Sequence, residues 1–345
     1  MDKKKLITSL VFIIIVGAVI ISLTVSKKSY AVGTTLVDIV KALNKGSSWS
    51  AGASGVYYTN SHEYRYIGAE VNNYVKFNND LYRIIGVFDS NSHGVSNTEL
   101  VKLIRARSLG GYSWGAYNTD NSTGTYSGYA NDWTGKATKS KANLNVLFNE
   151  YFYNKTDTSS TYGDCANWTY YYSDNVYKTK DCSDIITYGI DGSLRGYIET
   201  TTWYLYGSGT DQSKQNWYLC ERGGNSCTSS GPSTGDTSIT SKVGLMYLSD
   251  YLYASGYYSS TDTSTQGQYY FGNKNWLYKG WEWTLTPYAS GTISVWRVIY
   301  GSASYNNSSG PRGSRPTFYL KSSVYVTGGD GSFDNPYTLG CDNCS

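Results

Sequence analysis

The sequence predicts an α+β fold with a mainly antiparallel sheet, one or two packed helices and long loops. Runs rich in β-branched and aromatic residues occur early in the chain and again late, and a stretch with helical spacing lies between them. The chain also has 37 Tyr and 10 Trp against 5 Pro, so it carries enough aromatic surface to build a packed core.

The composition favours a protein that works outside the cell. Charged residues make up only 16% of the 345 residues, and the net charge is +3. The lysines are scattered and form no long basic run, so we predict no nucleic-acid partner. Solubility must come from hydroxyl and amide groups, which suits an exported surface.

The amino terminus has the pattern of an export signal. Three lysines at residues 3–5 precede an apolar run over residues 6–25. Two interpretations stay open. Ser29 and Ala31 present small residues for cleavage after Ala31, while a hydrophobic helix of about 20 residues is long enough to stay as a membrane anchor. We therefore predict an extracellular protein, either secreted or anchored in the membrane through residues 6–25.

Six cysteines, an even number in an exported chain, predict disulfides. They are Cys165, Cys182, Cys220, Cys227, Cys341 and Cys344. Proximity along the chain suggests pairing in that order, although six cysteines allow fifteen pairings. The last two form a CxxC motif with neither a second CxxC nor a nearby histidine, which favours a terminal bridge over a zinc half-site.

Four segments follow from these patterns. Residues 1–31 are a signal peptide or anchor, residues 32–60 a short helix and linker, residues 61–340 an extracellular globular domain, and residues 341–345 a cysteine-containing tail. The short helix is predicted because four apolar residues share one helical face. They are Leu36, Ile39, Val40 and Leu43.

The globular segment opens with a predicted hairpin. Residues 74–77 and 81–88 are β-rich and flank an Asn-Asn-Asp turn, and residues 101–105 supply a third strand. Over residues 140–154 the hydrophobic periodicity changes from that of a strand to that of an amphipathic helix, with apolar residues at helical spacing. They are Leu144, Leu147, Phe148, Tyr151 and Phe152.

A second helix is predicted from Leu194, Tyr197, Ile198 and Thr201. The polar stretch at residues 220–240 is predicted to be a long surface loop held by disulfides. Later strands are predicted at residues 243–247, 281–285, 295–300 and 317–320.

Several short sequence blocks are distributed over the globular segment. The opening blocks are EYRYIGA at residues 63–69, NNYVKFN at 72–78 and YRIIGV at 82–87. Later blocks are KVGLMY with SDY at 242–251, NWLY at 275–278, WTLTP at 283–287, and the stretch from Arg315 through GGDGS to NPY at 335–337. Together these blocks resemble an uncharacterised surface-protein family of Gram-positive gut bacteria. The resemblance implies a surface location and an architecture, and it carries no established activity.

More distantly, residues 283–320 resemble the carboxyl-terminal core of formylglycine-generating-enzyme-like and C-type-lectin-like domains. The resemblance rests on WTLTP, on RVIYGS at 297–302 and on GSRP at 313–316. It implies a C-type-lectin-like fold. The formylglycine-generating reaction uses a cysteine pair in this half, and the chain has no cysteine between Cys227 and Cys341, so we do not expect that activity.

The sequence predicts no catalytic residues, no enzyme activity and no cofactor. The two histidines, His62 and His93, lie in polar, turn-rich stretches and are expected to be solvated. Asp330 and Asp334 crowd a glycine-rich turn and are the calcium candidate, although a tight hairpin is the commoner reason for such a pattern.

The aromatic residues of the final third are the predicted binding residues, since exposed rings stack on sugars and anchor protein partners. The candidates are Trp276, Trp281, Trp283, Trp296, Arg297 and Tyr300. Core packing is the commoner role for any single Trp. We expect a surface module that binds a glycan or a protein. The alternatives are a subunit of a pilus-like assembly and a hydrolase whose carboxylates meet only in space.

Overall fold

The structure is a computed structural model, and it describes residues 33–115, 117–118, 128–129, 131–135, 142–155, 170–173, 176–179, 183–209, 213–224, 236–257, 259–261 and 274–344. The fold is mixed α+β with more strand than helix, 32% against 18%. This confirms the predicted class at that level. The predicted leader, including residues 6–25, lies outside the described residues, as do Cys165, Cys182 and Cys227.

A nine-stranded sheet forms the larger layer. Its strands are β1 (Gly55–Tyr58), β2 (Tyr64–Ile67), β3 (Tyr74–Phe77), β4 (Asp80–Phe88), β5 (Leu100–Arg105), β13 (Val243–Gly244), β18 (Thr317–Leu320), β19 (Tyr325–Gly328) and β20 (Tyr337–Gly340). The order is β13-β18-β5-β4-β3-β20-β19, with β2 also paired to β4 and β1 paired to β2. Every pairing is antiparallel except that of β20 with β3.

The predicted hairpin is present as β3 and β4. Its turn residues Asn78 and Asn79 both have a φ of 55°, a left-handed conformation that asparagine tolerates better than most residues. Strand β5 follows as the predicted third strand. All of its residues are buried.

The second sheet has five strands. Its strands are β6 (Gly111–Tyr112), β14 (Glu282–Pro287), β15 (Ser294–Ile299), β16 (Ser302–Asn307) and β17 (Arg312–Gly313), in the order β16-β15-β14-β17-β6. Three two-stranded ribbons complete the strands. They pair β7 (Tyr117–Asn118) with β8 (Gly128–Tyr129), β9 (Tyr170–Ser173) with β10 (Val176–Thr179), and β11 (Thr201–Tyr204) with β12 (Ser238–Ser241).

The helices are short. In chain order they are α1 (Leu36–Ala42), α2 (Ser90–His93), α3 (Asn143–Val146, continued by a π-helix over Leu147–Phe152), α4 (Ser183–Thr187), α5 (Gly192–Arg195), α6 (Lys214–Glu221) and α7 (Leu248–Tyr253). The predicted amphipathic helix is the third of these. Its five apolar residues are all buried, as their spacing requires.

Three local predictions need correction. The predicted second helix is only α5, and Thr201 begins strand β11, because the chain after Arg195 pairs with β12 and bridges to Leu320 through Ile198. The strand predicted at residues 243–247 ends at Gly244, and a helix starts at Leu248. Cys220 is buried in a helix rather than placed in a surface loop.

The segment before residue 61 is part of the domain. Helix α1 buries Leu36, Ile39 and Val40, while β1 adds a strand beside β2. None of the helices in the part of the chain that the structure describes has the length and apolar character needed to cross a bilayer.

Cys341 and Cys344 form a disulfide, as the sequence predicts. Cys220 is also disulfide-bonded, and none of the cysteines among the described residues is free. The terminal bridge follows β20 directly, so it fixes the end of a strand.

We expect the double substitution Cys341→Ser with Cys344→Ser to lower the free energy of unfolding by about 2 kcal/mol, because a bridge three residues apart removes little chain entropy. Urea denaturation followed by tryptophan fluorescence measures this. A loss above about 4 kcal/mol would contradict this expectation, because it would show that the bridge holds more of the fold than the end of one strand.

Candidate binding site

Three of the six predicted binding residues lie in the core. Trp276, Trp283 and Trp296 are buried, and each indole Nε1 donates a hydrogen bond to a backbone carbonyl. The acceptors are the carbonyl oxygens of Tyr66, Tyr112 and Ser208 respectively. A buried indole with a satisfied N–H has a structural role, so these residues do not face a ligand.

The other two aromatic candidates are exposed and in contact. Trp281 is 42% exposed and Tyr300 is 63% exposed, with ring centroids 5.1 Å apart and planes at 83°. Tyr300 and Gly301 form the two-residue turn between β15 and β16, with φ of 50° and 77°. Positive φ at both positions is typical of a tight hairpin, which pushes the tyrosine ring outward.

One arginine lies beside this ring pair, and a second is buried on the strand that leads to Tyr300. The guanidinium of Arg312 sits 5.3 Å from the ring centroid of Trp281. Arg297 lies on β15, opposite Trp283 on β14. Its side chain is largely buried, and Nε and Nη1 have no hydrogen-bond partner. Burial and the charge of Arg312 lower the pKa of Arg297 to about 10, so both arginines are cations at neutral pH. We call Trp281, Tyr300, Arg297 and Arg312 the aromatic patch.

A separate cavity of about 490 Å³ lies between the β1–β2 turn, helix α2, the end of β11 and helix α6. We call it the polar cavity. Its lining residues are Asn60, Ser61, His62, Ser90, Asn91, Tyr204, Gln215, Tyr218, Leu219, Arg222 and Gly224. Amides and hydroxyls dominate, and Arg222 is the residue with a permanent charge among them. Such a lining can orient a small polar ligand by hydrogen bonds.

Charged side chains are packed behind the polar cavity. Arg65 on β2 binds Glu63 through Nε at 2.8 Å and Asp250 through Nη1 at 2.9 Å. Lys102 on β5 binds the other oxygen of Asp250 at 2.6 Å. All four side chains have no exposed area. With Glu221 and Arg222 they form what we call the buried ionic cluster.

The cations and the low dielectric act in opposite directions on this cluster. Burial alone raises the pKa of Asp250, but the charges of Lys102 and Arg65 outweigh it and lower the pKa to about 2. Burial lowers the pKa of Lys102 to about 8 despite the attraction of Asp250. At pH 7 the pair is therefore ionised. Burial raises the pKa of Glu221, against the charge of Arg222.

The described carboxylates that converge in the core do so around cations. Glu63 and Asp250 share Arg65, and Glu63 also accepts a hydrogen bond from Ser92 Oγ. Glu221 accepts from Ser249 N and Thr286 Oγ1. A general acid and base must reach a substrate, whereas these three carboxylates are fully buried in the fold.

The two histidines differ in setting. His62 is exposed with a φ of 59°, and its Nδ1 lies 3.3 Å from Tyr58 Oη. His93 is fully buried, which corrects the expectation of a solvated loop. Val95 N donates to its Nδ1, so its Nε2 carries the proton and donates to Phe88 O. Burial lowers the pKa of His93, and the ring is a neutral structural group.

The calcium candidate lies in the β19–β20 hairpin. Gly329 and Gly331 have φ of 87° and 78°, and Asp330 Oδ1 accepts a hydrogen bond from Ser332 N. These features are those of a tight turn. No group of three or more His, Cys, Asp or Glu side chains suited to a metal ion occurs within the described ranges.

Sequence reasoning missed the polar cavity and the buried ionic cluster. One signal was available for the cluster, since Lys102 and Arg65 stand within apolar strands, and a charge there must find a buried partner. The partner Asp250 is 148 residues away from Lys102, and nothing in the spacing identifies it.

The chain matches no family model, no curated protein and no solved structure. The predicted surface-protein family and the distant C-type-lectin-like resemblance therefore stay predictions, and function has to be argued from the sites themselves.

Proposed function

We propose that the chain is an extracellular, secreted or membrane-anchored binding module that recognises a glycan through the aromatic patch. The observation that carries the proposal is the exposed ring pair, Trp281 and Tyr300, beside the cation Arg312. Exposed tryptophan is uncommon in a chain whose other described tryptophans are mostly buried.

The geometry of the patch suits a sugar ring. Because the planes of Trp281 and Tyr300 meet at 83°, one ring offers a flat face for the C–H surface of a pyranose while the other forms a wall. Arg312 adds positive charge at the same place, which favours a glycan with carboxylate or sulfate groups. A protein ligand is the alternative within the same class of function.

The location is proposed from the leader and the disulfides. An apolar run after three lysines directs export, and the cystines at Cys220 and Cys341–Cys344 suit an oxidising space. The membrane is a partner through residues 6–25 if the leader is kept.

We expect Trp281→Ala to weaken glycan binding at least tenfold, about 1.4 kcal/mol, because it removes the stacking surface. The measurement is a glycan array with the full chain in detergent micelles, followed by titration of each glycan that binds. Acidic glycans should bind better than neutral ones, and their binding should fall as salt rises from 0.05 to about 0.5 M.

The matched control is Phe333→Ala, which removes an aromatic residue of similar exposure, 61%, from the β19–β20 hairpin. It should leave binding unchanged. Absence of binding to every glycan, or equal loss in both variants, would contradict the proposal and would favour a protein ligand or a structural role.

A further inference from the structure

The polar cavity has the size and lining of a small-molecule site that is distinct from the aromatic patch. Its volume of about 490 Å³ lies in the range of ligand pockets, roughly 300–1,000 Å³. No residue of the aromatic patch contributes to it. It is built from four separate parts of the chain, so its shape is fixed by the tertiary fold.

Arg222 gives the cavity its strongest interaction. The residue follows helix α6, and its side chain is only 7% exposed. Its guanidinium faces two aromatic rings. It lies 3.8 Å from the ring centroid of Tyr218 and 5.0 Å from that of Tyr247. Nη1 donates to Tyr218 O, while Nε and Nη2 have no hydrogen-bond partner. Leaving two guanidinium N–H groups unpaired in a buried place costs free energy that a ligand oxygen would recover.

Arg222 stays a cation although it is buried. In the buried ionic cluster the cations are Arg65, Lys102 and Arg222, and the acids are Glu63, Asp250 and Glu221. Burial opposes the charge of Arg222, but Tyr218, Glu63, Tyr247 and Glu221 raise its pKa, so a ligand carboxylate in the cavity meets a permanent cation.

The remaining lining residues are neutral hydrogen-bonding groups. Asn60 Nδ2 donates to Gln215 Oε1 at 2.8 Å across the cavity wall, and Asn91 is held by Asp89. Tyr204 and Ser90, which carry hydroxyl groups, also line the cavity. Amides and hydroxyls in this number suit a ligand with several hydroxyl groups.

We propose that the polar cavity binds a small polyhydroxylated carboxylate, a sugar acid, whose carboxylate pairs with the guanidinium of Arg222 and whose hydroxyls bond to Asn60, Asn91 and Gln215. The bidentate fork of an arginine matches a carboxylate. An amino acid fits worse, because its ammonium group would need an acidic partner and no carboxylate is among the described residues that line the cavity.

The test is isothermal titration calorimetry of the full chain in detergent micelles. The probes are D-glucuronate, D-galacturonate and N-acetylneuraminate, with D-glucose as the neutral counterpart and L-glutamate as the carboxylate that carries an ammonium. We expect at least one sugar acid to bind at least tenfold more tightly than both glucose and glutamate. If none of the three sugar acids binds saturably, or if glucose binds equally well, the proposal is overturned.

Two variants locate the site. Gln215→Trp fills the cavity from helix α6 without touching the buried ionic cluster, and it should abolish binding of the sugar acid while the melting temperature stays within a few degrees. Arg222→Lys keeps the charge but removes the fork, so binding should weaken at least fivefold. Binding that survives Gln215→Trp would overturn the proposal.

Trp281→Ala separates this site from the aromatic patch. Phe333→Ala, which lies in neither the aromatic patch nor the polar cavity, should leave the calorimetric affinity for the sugar acid unchanged. If Trp281→Ala abolishes the calorimetric signal while Gln215→Trp does not, the sugar acid binds at the aromatic patch and the cavity assignment is wrong.

Discussion

Replacement of Asp250 by asparagine is expected to lower the free energy of unfolding by about 3–5 kcal/mol. Asp250 is the acid on which two buried cations meet, Arg65 at 2.9 Å and Lys102 at 2.6 Å. Loss of the negative charge would leave Lys102 with no acidic partner in a fully buried place. The second carboxylate oxygen also accepts from Tyr247 N at the start of α7, so the helix loses part of its anchoring.

Urea denaturation at pH 7 measures this change. The matched control is Asp191→Asn, which breaks the pair with Lys155, where the two side chains are 37% and 46% exposed. A surface pair of this kind contributes about 0.2–1 kcal/mol, because water already solvates both charges. Equal losses in the two variants would contradict the view that burial gives the Asp250 contacts their weight.

The free energy of unfolding depends on pH, and the pKa of Asp250 sets the direction of that dependence. The pKa of Asp250 is lowered to about 2 in the folded chain, below its ordinary value of 3.8. The unfolded chain therefore binds more protons between these two values, and the stabilisation is present above about pH 4 and is lost as pH falls toward 2. Asp250→Asn should show a shallower loss of stability across this window. A parallel loss in both proteins would assign the acid sensitivity to other carboxylates.

Gly86→Ala is the second change with a large expected effect, a loss of about 3 kcal/mol. Gly86 lies on β4 opposite Arg65 on β2, where the pairing of β4 with β5 shifts register. A Cβ at this position would overlap the backbone oxygen of Tyr64 and lie 3.2 Å from the Cα of Arg65. The obstacle is backbone of a paired strand, so no side-chain rotation relieves it.

The control is the same substitution at Gly192 in helix α5, where a Cβ would meet no atom within 4 Å. Alanine there should be neutral or should stabilise by about 0.4–1 kcal/mol, because it reduces the freedom of the unfolded chain. Thermal melts of the two variants check the pair. A stable Gly86→Ala protein would show that β2 and β4 can separate without loss of the fold.

The local elements with a strong pattern could be predicted. The hairpin at residues 74–88 and helix α3 follow from alternation, from turn residues that tolerate positive φ and from helical spacing. The terminal disulfide follows from the proximity of Cys341 and Cys344. The prediction of a helix that includes Thr201 was wrong, because residues 201–204 pair with β12 as a strand, and this pairing outweighed a weak helical pattern.

The candidate sites show where sequence reasoning ends. The aromatic residues in the last third of the chain are visible in the sequence. The structure shows that Trp281 and Tyr300 are exposed, whereas Trp276, Trp283 and Trp296 are buried. Neighbouring strands and loops decide which face of a strand is covered, and these come from distant parts of the chain.

The fold class, the leading hairpin, the amphipathic helix and one disulfide follow from local patterns, since each depends on neighbours a few residues apart. The polar cavity, the pairing of Lys102 with Asp250 and the exposure of each tryptophan depend on the assembled fold. Burial and ion pairing are set by which segments meet in space, and the local pattern of residues does not encode that meeting.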